Sequence, residues 1–221
     1  MTTFTRNKDL VKEKSFSAGY INQSGLYVGH FTKCYEKEAE SGSKAIHFDF
    51  MSPQGQQSFD IWHYSGKKDS DIEMGIERIN DLMTVLNIDT LKPKNNTPVE
   101  MWDRMQSAFV TNRVTAYPQL IDTPIGIVFQ REEYAKQSLI DGKWVNNGEI
   151  GERTEFVMFC DFDTQATAAE IENDTAPSYV EKFLEKQQDV KRLKLSQQKA
   201  ETANVKQQAE KIVDNFYDEP F

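Results

Sequence analysis

The chain has 221 residues, with 26 lysines and arginines against 35 aspartates and glutamates, so its formal net charge is −9 at pH 7. This length suits one domain with appendages and can bury a core without a metal or a disulfide. The acidic balance argues against a protein that coats duplex DNA by bulk attraction, although a local basic groove remains compatible with it. The longest aliphatic stretch, 125–129, is too short to cross a bilayer, and the N-terminus shows no secretory signal.

The first part of the chain predicts a polar arm followed by three strands. Residues 1–18 carry little pattern and are expected to form a flexible N-terminal arm. A run rich in β-forming residues then predicts a strand at 26–35, and alternating polar and apolar side chains predict strands at 44–50 and 58–64. In the third strand Phe59 and Ile61 share one face, while Trp62 and Tyr64 share the other. If the first pair is buried, the second pair is presented outward.

Helical spacing replaces this alternation in the middle of the chain. Apolar residues predict a helix over 72–86, and Ser70 to Glu73 has the form of a capping box. A second helix is predicted over 98–109, because Thr97 can act as its N-cap and Pro98 suits a first helical position. Strand alternation then returns, and the last two strands are predicted at 125–129 and 154–162.

The composition changes after about residue 165. Residues 164–175 are expected to form a linker, and 177–213 a helix that is docked at first and solvated later. The last eight residues are acidic and aromatic, with no basic residue. The expected organisation is therefore an arm, a folded domain, a helical segment and a tip: 1–18, 19–165, 166–213 and 214–221.

The order of the predicted elements favours one fold. Three strands, a helix and two further strands form the element order of the OB-fold, a five-stranded Greek-key barrel. We therefore expect a mainly β protein with helical insertions, built on an OB-fold barrel with a C-terminal helix and a flexible acidic tail. An α+β sandwich with the same strands in another order is the alternative.

Two parts of the sequence carry a resemblance to known families. The last four residues, Asp218-Glu-Pro-Phe221, resemble the acidic tip of bacterial and phage single-stranded DNA-binding proteins, which often ends in Pro-Phe. Residues 24–50, 71–83 and 117–128 are similar to a phage family found beside recombination and replication genes. The resemblance implies an OB-fold, a non-enzymatic role in DNA replication, recombination and repair, and the cytoplasm of an infected bacterium as the location. It leaves open whether the protein forms a homo-oligomer.

A protein that binds single strands needs cations that follow the phosphates and aromatic faces on which unpaired bases stack. One cluster combines both residue types, and it is the first candidate site: Trp62, Tyr64, Lys44, Lys67 and Lys68. Further rings and cations form a site only if they converge in one groove: Lys33, Tyr35, Lys37, Arg113, Tyr117, Arg131, Lys143, Trp144 and Arg153.

The acidic tip suggests a second binding function. Its mechanism would be to occupy the cationic groove in the absence of DNA and to bind replication or recombination proteins once DNA displaces it. The candidate partner-binding residues are Asp214, Phe216, Asp218, Glu219, Pro220 and Phe221. The alternative is a frayed, soluble terminus.

Metal, cofactor and redox functions have little support in the sequence. Cys34 and Cys160 are expected to be free thiols in a reducing compartment, and the three histidines lie far apart. Neither a cofactor nor a metal is expected.

Two other functions remain as alternatives. A magnesium-dependent nuclease could use aspartates in strand segments, namely Asp49, Asp60, Asp161 and Asp163, although no motif spaces them for it. An adaptor that binds only proteins is the second alternative.

Overall fold

The computed structural model describes residues 19–103, 105–140 and 142–194, and antiparallel strands dominate this part of the chain. The strands are β1 (Gly25–Glu38), β2 (Lys44–Ser52), β3 (Gly55–Ser65), β4 (Ser70–Asp71), β5 (Lys94–Asp103), β6 (Ala108–Ala116), β7 (Pro124–Ile140) and β8 (Lys143–Cys160). The helices are α1 (Glu73–Val85), α2 (Ala168–Glu172) and α3 (Tyr179–Lys186). Within these ranges, no helix combines the length and the apolar character needed to cross a membrane.

Strand β1 organises the sheet because it pairs with several strands. The strand order is β4-β3-β2-β1-β6-β5, with β7 also on β1 and β8 on β7. The first half of β1 pairs with β7, and the second half pairs with β2. The change of partner occurs near Gly29, where an added Cβ would lie 2.1 Å from the carbonyl oxygen of Met51. Glycine therefore permits the close approach of β1 and β2 at the bend.

The core is a cluster of phenylalanine rings between the two halves of the sheet. Phe31 of β1 lies at its centre, with its ring centroid 5.0 Å from that of Phe48 and 6.3 Å from that of Phe159. Helix α1 closes one end of this cluster with Leu82 and Val85, which are both buried. One face of β1, β2 and β3 therefore packs against the core, and the opposite face, which we call the outer face, points away from it.

The sheet does not close into a barrel, because no ladder joins β3 to β8 among the described residues. The rings of Phe59 and Phe156 stack across this gap, with centroids 4.9 Å apart. Residue Ile21 also bridges it: its N–H donates to the Gln56 carbonyl at 2.9 Å, and its carbonyl accepts from the Thr154 hydroxyl at 3.0 Å. The mainly β class is confirmed, whereas the closed five-stranded barrel is not.

The three predicted N-terminal strands and helix α1 are confirmed, but the second predicted helix is wrong. Residues 97–109 belong instead to the β5–β6 hairpin. Residues 108–116 are rich in β-forming valine and threonine, and they supply a pairing partner that local capping signals do not reveal. Pro98 fits because β5 lies at the edge of the sheet, where a missing N–H is tolerated.

The capping box predicted at residues 70–73 is also wrong. Ser70 and Asp71 pair with the end of β3 as strand β4, and α1 begins after Ile72 without a side-chain cap. Because residues 70 and 71 pair with β3, they are not available to cap helix α1.

The predicted linker at 164–175 contains a helix, α2, whose capping box joins Thr167 and Glu170. Glu170 also accepts hydrogen bonds from the backbone N–H groups of Ser178 and Tyr179, at 2.7 and 2.8 Å, and so ties α2 to the start of α3. Of the long helix predicted over 177–213, the described residues are helical over α3, and residues 187–194 follow β7 in an extended form. Residues 195–213 lie outside the described part of the chain. The predicted arm (1–18) and tip (214–221) lie outside the described residues.

Candidate nucleic-acid interface

The outer face of β1, β2 and β3 holds a regular array of polar and aromatic side chains. We define it by three rows of register partners, each running from β1 through β2 to β3. The rows are Lys33–Asp49–Ser58, Tyr35–His47–Asp60 and Lys37–Ala45–Trp62. Strand geometry places neighbours in a row about 4.8 Å apart and successive rows about 6.8 Å apart.

Trp62 is the exposed ring of this outer face. It is 36% exposed, whereas Ala45 beside it is fully buried, so the neighbouring side chains cover the alanine. The backbone under Trp62 is held by helix α1, because an added Cβ on Gly75 would lie 1.9 Å from the Trp62 carbonyl oxygen. Trp62 is therefore displayed on a well-supported strand, as the alternation of the sequence predicts.

The lysines of the outer face have acidic partners across the sheet. The Lys37 Nζ lies 2.7 Å from Asp60, and the Lys33 Nζ lies 3.4 Å from Asp49. His47 bridges the same two carboxylates, with its Nδ1 2.6 Å from Asp60 and its Nε2 3.1 Å from Asp49. The charges of the two lysines and the two aspartates cancel, so the net charge of the outer face depends on His47.

The protonation of this network follows from burial and hydrogen bonding. Burial lowers the pKa of His47, but its hydrogen bonds to Asp49 and Asp60 outweigh burial and raise the pKa above its ordinary value. Burial raises the pKa of Asp49, but hydrogen bonds with His47 and Ser58 outweigh it and lower the pKa to about 2. The outer face is therefore neutral when His47 is neutral and carries one positive charge when His47 is protonated.

Tyr35 lies on the outer face but does not offer a free ring. It is buried, and its ring centroid lies 4.8 Å from that of His47. The tyrosine ring thus packs against His47 and is not available for stacking.

The structure does not bring together the residues of the first candidate site, the cluster around Trp62 and Tyr64. Lys44 lies 3.6 Å from Glu36, and both are near His63 on the opposite side of β3 from Trp62. Tyr64 is half-buried and hydrogen-bonds an aspartate in the turn that follows. Lys67 and Lys68 lie exposed in that same turn.

The remaining candidate residues are spread over other elements. Arg131 and Arg153 form ion pairs with glutamates across the β7–β8 ladder. Tyr117 is buried, and Trp144 is 68% exposed near the turn of that hairpin, beside Lys143. Because the two arginines are neutralised and the rings lie on separate elements, these residues do not form one groove with Trp62.

Two features of the interface were not predicted from the sequence. The first is the His47–Asp49–Asp60 network, which depends on which residues become register partners. The second is an exposed aromatic pair, Trp102 and Phe109, on the β5–β6 hairpin. Strand alternation in residues 97–103 was the signal that could have revealed this pair, but it was masked by helical capping signals.

The described residues contain no group of three or more histidine, cysteine, aspartate or glutamate side chains placed to hold a metal ion. Cys34 and Cys160 are buried free thiols in this part of the chain. Burial raises the pKa of both thiols, which keeps them protonated near neutral pH.

Comparison with known proteins adds no family assignment. No protein-family model matches the chain, and a search of curated proteins gave no match. The function is therefore argued from the residues and their geometry.

Proposed function

We propose that the protein binds single-stranded DNA with little sequence preference, through the outer face of β1, β2 and β3. One observation carries this proposal: Trp62 is 36% exposed on the outer face, in one row with Lys37. Tryptophan is usually among the most buried residues on average, so an exposed indole on this face favours contact with a flat ligand. Unpaired bases are such ligands, and their stacking on aromatic rings tolerates any sequence.

The outer face supplies both contacts that a single strand needs. Trp62 offers an indole face for stacking, while Lys33, Lys37 and protonated His47 offer positive charge to the phosphates. Bases in a duplex are already stacked on each other and cannot reach the indole, so single strands are preferred. Because two aspartates balance the lysines, stacking contributes more than phosphate attraction.

The sheet topology is compatible with an OB-fold that remains open. β1, β2 and β3 form a meander, β7 pairs with β1 and β8 pairs with β7, which leaves only the β3–β8 closure of such a barrel unmade. On this basis, and on the resemblance of the tip, we propose a role in DNA replication, recombination or repair in the cytoplasm of an infected bacterium. Replication or recombination proteins that bind residues 214–221 are part of this proposal.

Titration with oligothymidine tests the proposed function. Tryptophan emission is expected to be quenched by the single strand, and a duplex of equal length is expected to bind much more weakly. The affinity should fall only moderately with added salt, since few net charges are available for counterion release. Equal affinity for the duplex, or emission that does not respond to DNA, would reject the proposal. The second result would favour the adaptor function, and magnesium-dependent cleavage of a labelled strand would favour the nuclease.

Removing either carboxylate of the network is expected to tighten DNA binding. Asp49→Asn and Asp60→Asn keep the side-chain shape but free Lys33 or Lys37 for the phosphates, so affinity should rise by about fivefold. Asp163→Asn, in the exposed loop after β8, is the matched control and should leave affinity unchanged. The measurement is a fluorescence titration at fixed salt and pH. An unchanged or lower affinity in both network variants would place the DNA elsewhere.

A further inference from the structure

The β5–β6 hairpin projects from the sheet, and we call residues 94–116 the finger. Among the residues that the structure describes, its only ladder contact with the rest of the sheet joins Ala116 to Tyr35 of β1. Ala116 is also the only buried residue among those of the finger that the structure describes. The finger is thus attached at its base, and its two strands pair mainly with each other.

An aromatic pair lies near the end of the finger. Trp102 and Phe109 are register partners, and their ring centroids lie 5.2 Å apart in an edge-to-face arrangement. They are 54% and 61% exposed, so they cover no core. Asp103 accepts hydrogen bonds from the backbone N–H groups of Met105 and Gln106, at 2.8 and 3.2 Å, and so holds the turn beyond the pair. The rings are therefore displayed at the end of the hairpin, one on each strand.

A groove connects the base of the finger with the outer face. It has a volume of about 270 Å³ and lies between residues 32–34 of β1 and residues 97–100 of β5. Lys33 lines this groove and also belongs to the first row of the outer face. A chain bound along the outer face can therefore continue through the groove to the finger without leaving the protein surface.

The finger has a formal charge of +1, because it carries three basic and two acidic side chains: Lys94, Arg104, Arg113, Glu100 and Asp103. Arg113 lies on the same face of the hairpin as Trp102 and Phe109, about 14 Å from them by strand spacing. Its guanidinium donates to the Asn96 carbonyl oxygen at 3.1 Å. Neither Arg113 nor Lys94 forms an ion pair with any residue that the structure describes. Arg113 is thus a cation beside the groove, because its register partner Pro98 lines the groove, whereas Lys94 lies at the base of the finger.

We infer that the finger is a second contact site for the same single strand. The strand would cross the groove past Lys33 and stack a base on Trp102 and Phe109. This inference rests on the proposed function and extends it to a longer binding site. Short strands would occupy the outer face alone, whereas longer strands would reach the finger. One OB-fold binds about 4–16 nucleotides, which is compatible with a binding site that includes both the outer face and the finger.

A comparison of two strand lengths tests the finger. Trp102→Ala is expected to weaken binding of an oligothymidine of about 20 nucleotides by roughly 5- to 100-fold, and to leave binding of one of about 5 nucleotides unchanged. Phe109→Ala should act in the same direction, and Trp102→Phe should restore much of the affinity. Tyr179→Ala, which removes an exposed ring from α3, is the matched control and should bind both strands normally.

The outcomes separate this inference from the proposed function. If the protein binds oligothymidine but Trp102→Ala changes neither length, the finger inference is rejected and the function stands. A protein with Trp62→Phe and Trp144→Phe keeps Trp102 as its single tryptophan. Quenching of its emission by the long strand, but not by the short one, supports the finger as a DNA contact. An unquenched signal on binding of the long strand rejects it, and no binding by the unmodified protein rejects both proposals.

Discussion

Replacing Trp62 by alanine is expected to weaken binding of short oligothymidine by about 5- to 100-fold, which is the contribution of one stacked base. The reason is that Trp62 is the one exposed ring in the three rows of the outer face, where Tyr35 is buried under His47. Titration of the remaining intrinsic fluorescence, or of a labelled strand, measures the effect. Trp62→Phe keeps a stacking ring and should retain most of the affinity.

The control for this result is a tryptophan on another element. Trp144→Ala removes a more exposed indole, at 68% against 36% for Trp62, from the β7–β8 hairpin. It should leave short-strand affinity unchanged, because among the described residues β8 pairs with β7 and not with a strand of the outer face. A larger loss from Trp144→Ala than from Trp62→Ala would move the site to the β7–β8 hairpin. Unchanged far-ultraviolet circular dichroism would show that neither variant has unfolded.

Replacing Phe31 by alanine is expected to lower the free energy of unfolding by about 3–5 kcal/mol. The Phe31 side chain is fully buried, and four other phenylalanine rings lie within 6.5 Å of its centroid: Phe48, Phe50, Phe59 and Phe159. Its removal leaves a cavity at the point where β1 changes partner from β7 to β2. Urea denaturation followed by circular dichroism measures the change.

A surface phenylalanine provides the matched control for Phe31. Phe162 follows β8 and is 47% exposed, so Phe162→Ala should change the free energy of unfolding by less than about 0.5 kcal/mol. Similar losses in the two variants would mean that the ring cluster around Phe31 is not the core of the fold. Because β1 also carries Lys33 and Lys37, the Phe31 variant should lose DNA binding at a lower urea concentration than the unmodified protein.

The outward position of Trp62 could be predicted from the sequence because it depends only on local geometry. Successive side chains of a strand point to opposite faces, so the burial of Ile61 determines where Trp62 lies. The same reasoning predicted the strands at 44–50 and 58–64 and the apolar face of each. Helix α1 followed from the spacing of its apolar residues.

The β5–β6 hairpin could not be predicted in this way because two local patterns compete in residues 97–109. Thr97 and Pro98 resemble a helix start, but Val99 and Met101 also alternate as a strand does. The pairing of β5 with β6 decides between them, since each strand satisfies the backbone hydrogen bonds of the other. The pairing strand β6 lies beyond the few residues over which a helix pattern is recognised.

The charge of the candidate site also depended on tertiary structure. The sequence contains Lys33, Lys37, Asp49 and Asp60, and their spacing alone leaves the lysines free to act as a basic stripe. The register of β1, β2 and β3 places each lysine near an aspartate and puts His47 between the two carboxylates. The sequence by itself therefore determined which side chains face outward, because that depends on the two-residue period of a strand. Only the tertiary structure decided which of them neutralise each other and which surfaces join, because ion pairs and grooves form between segments that are distant in the chain.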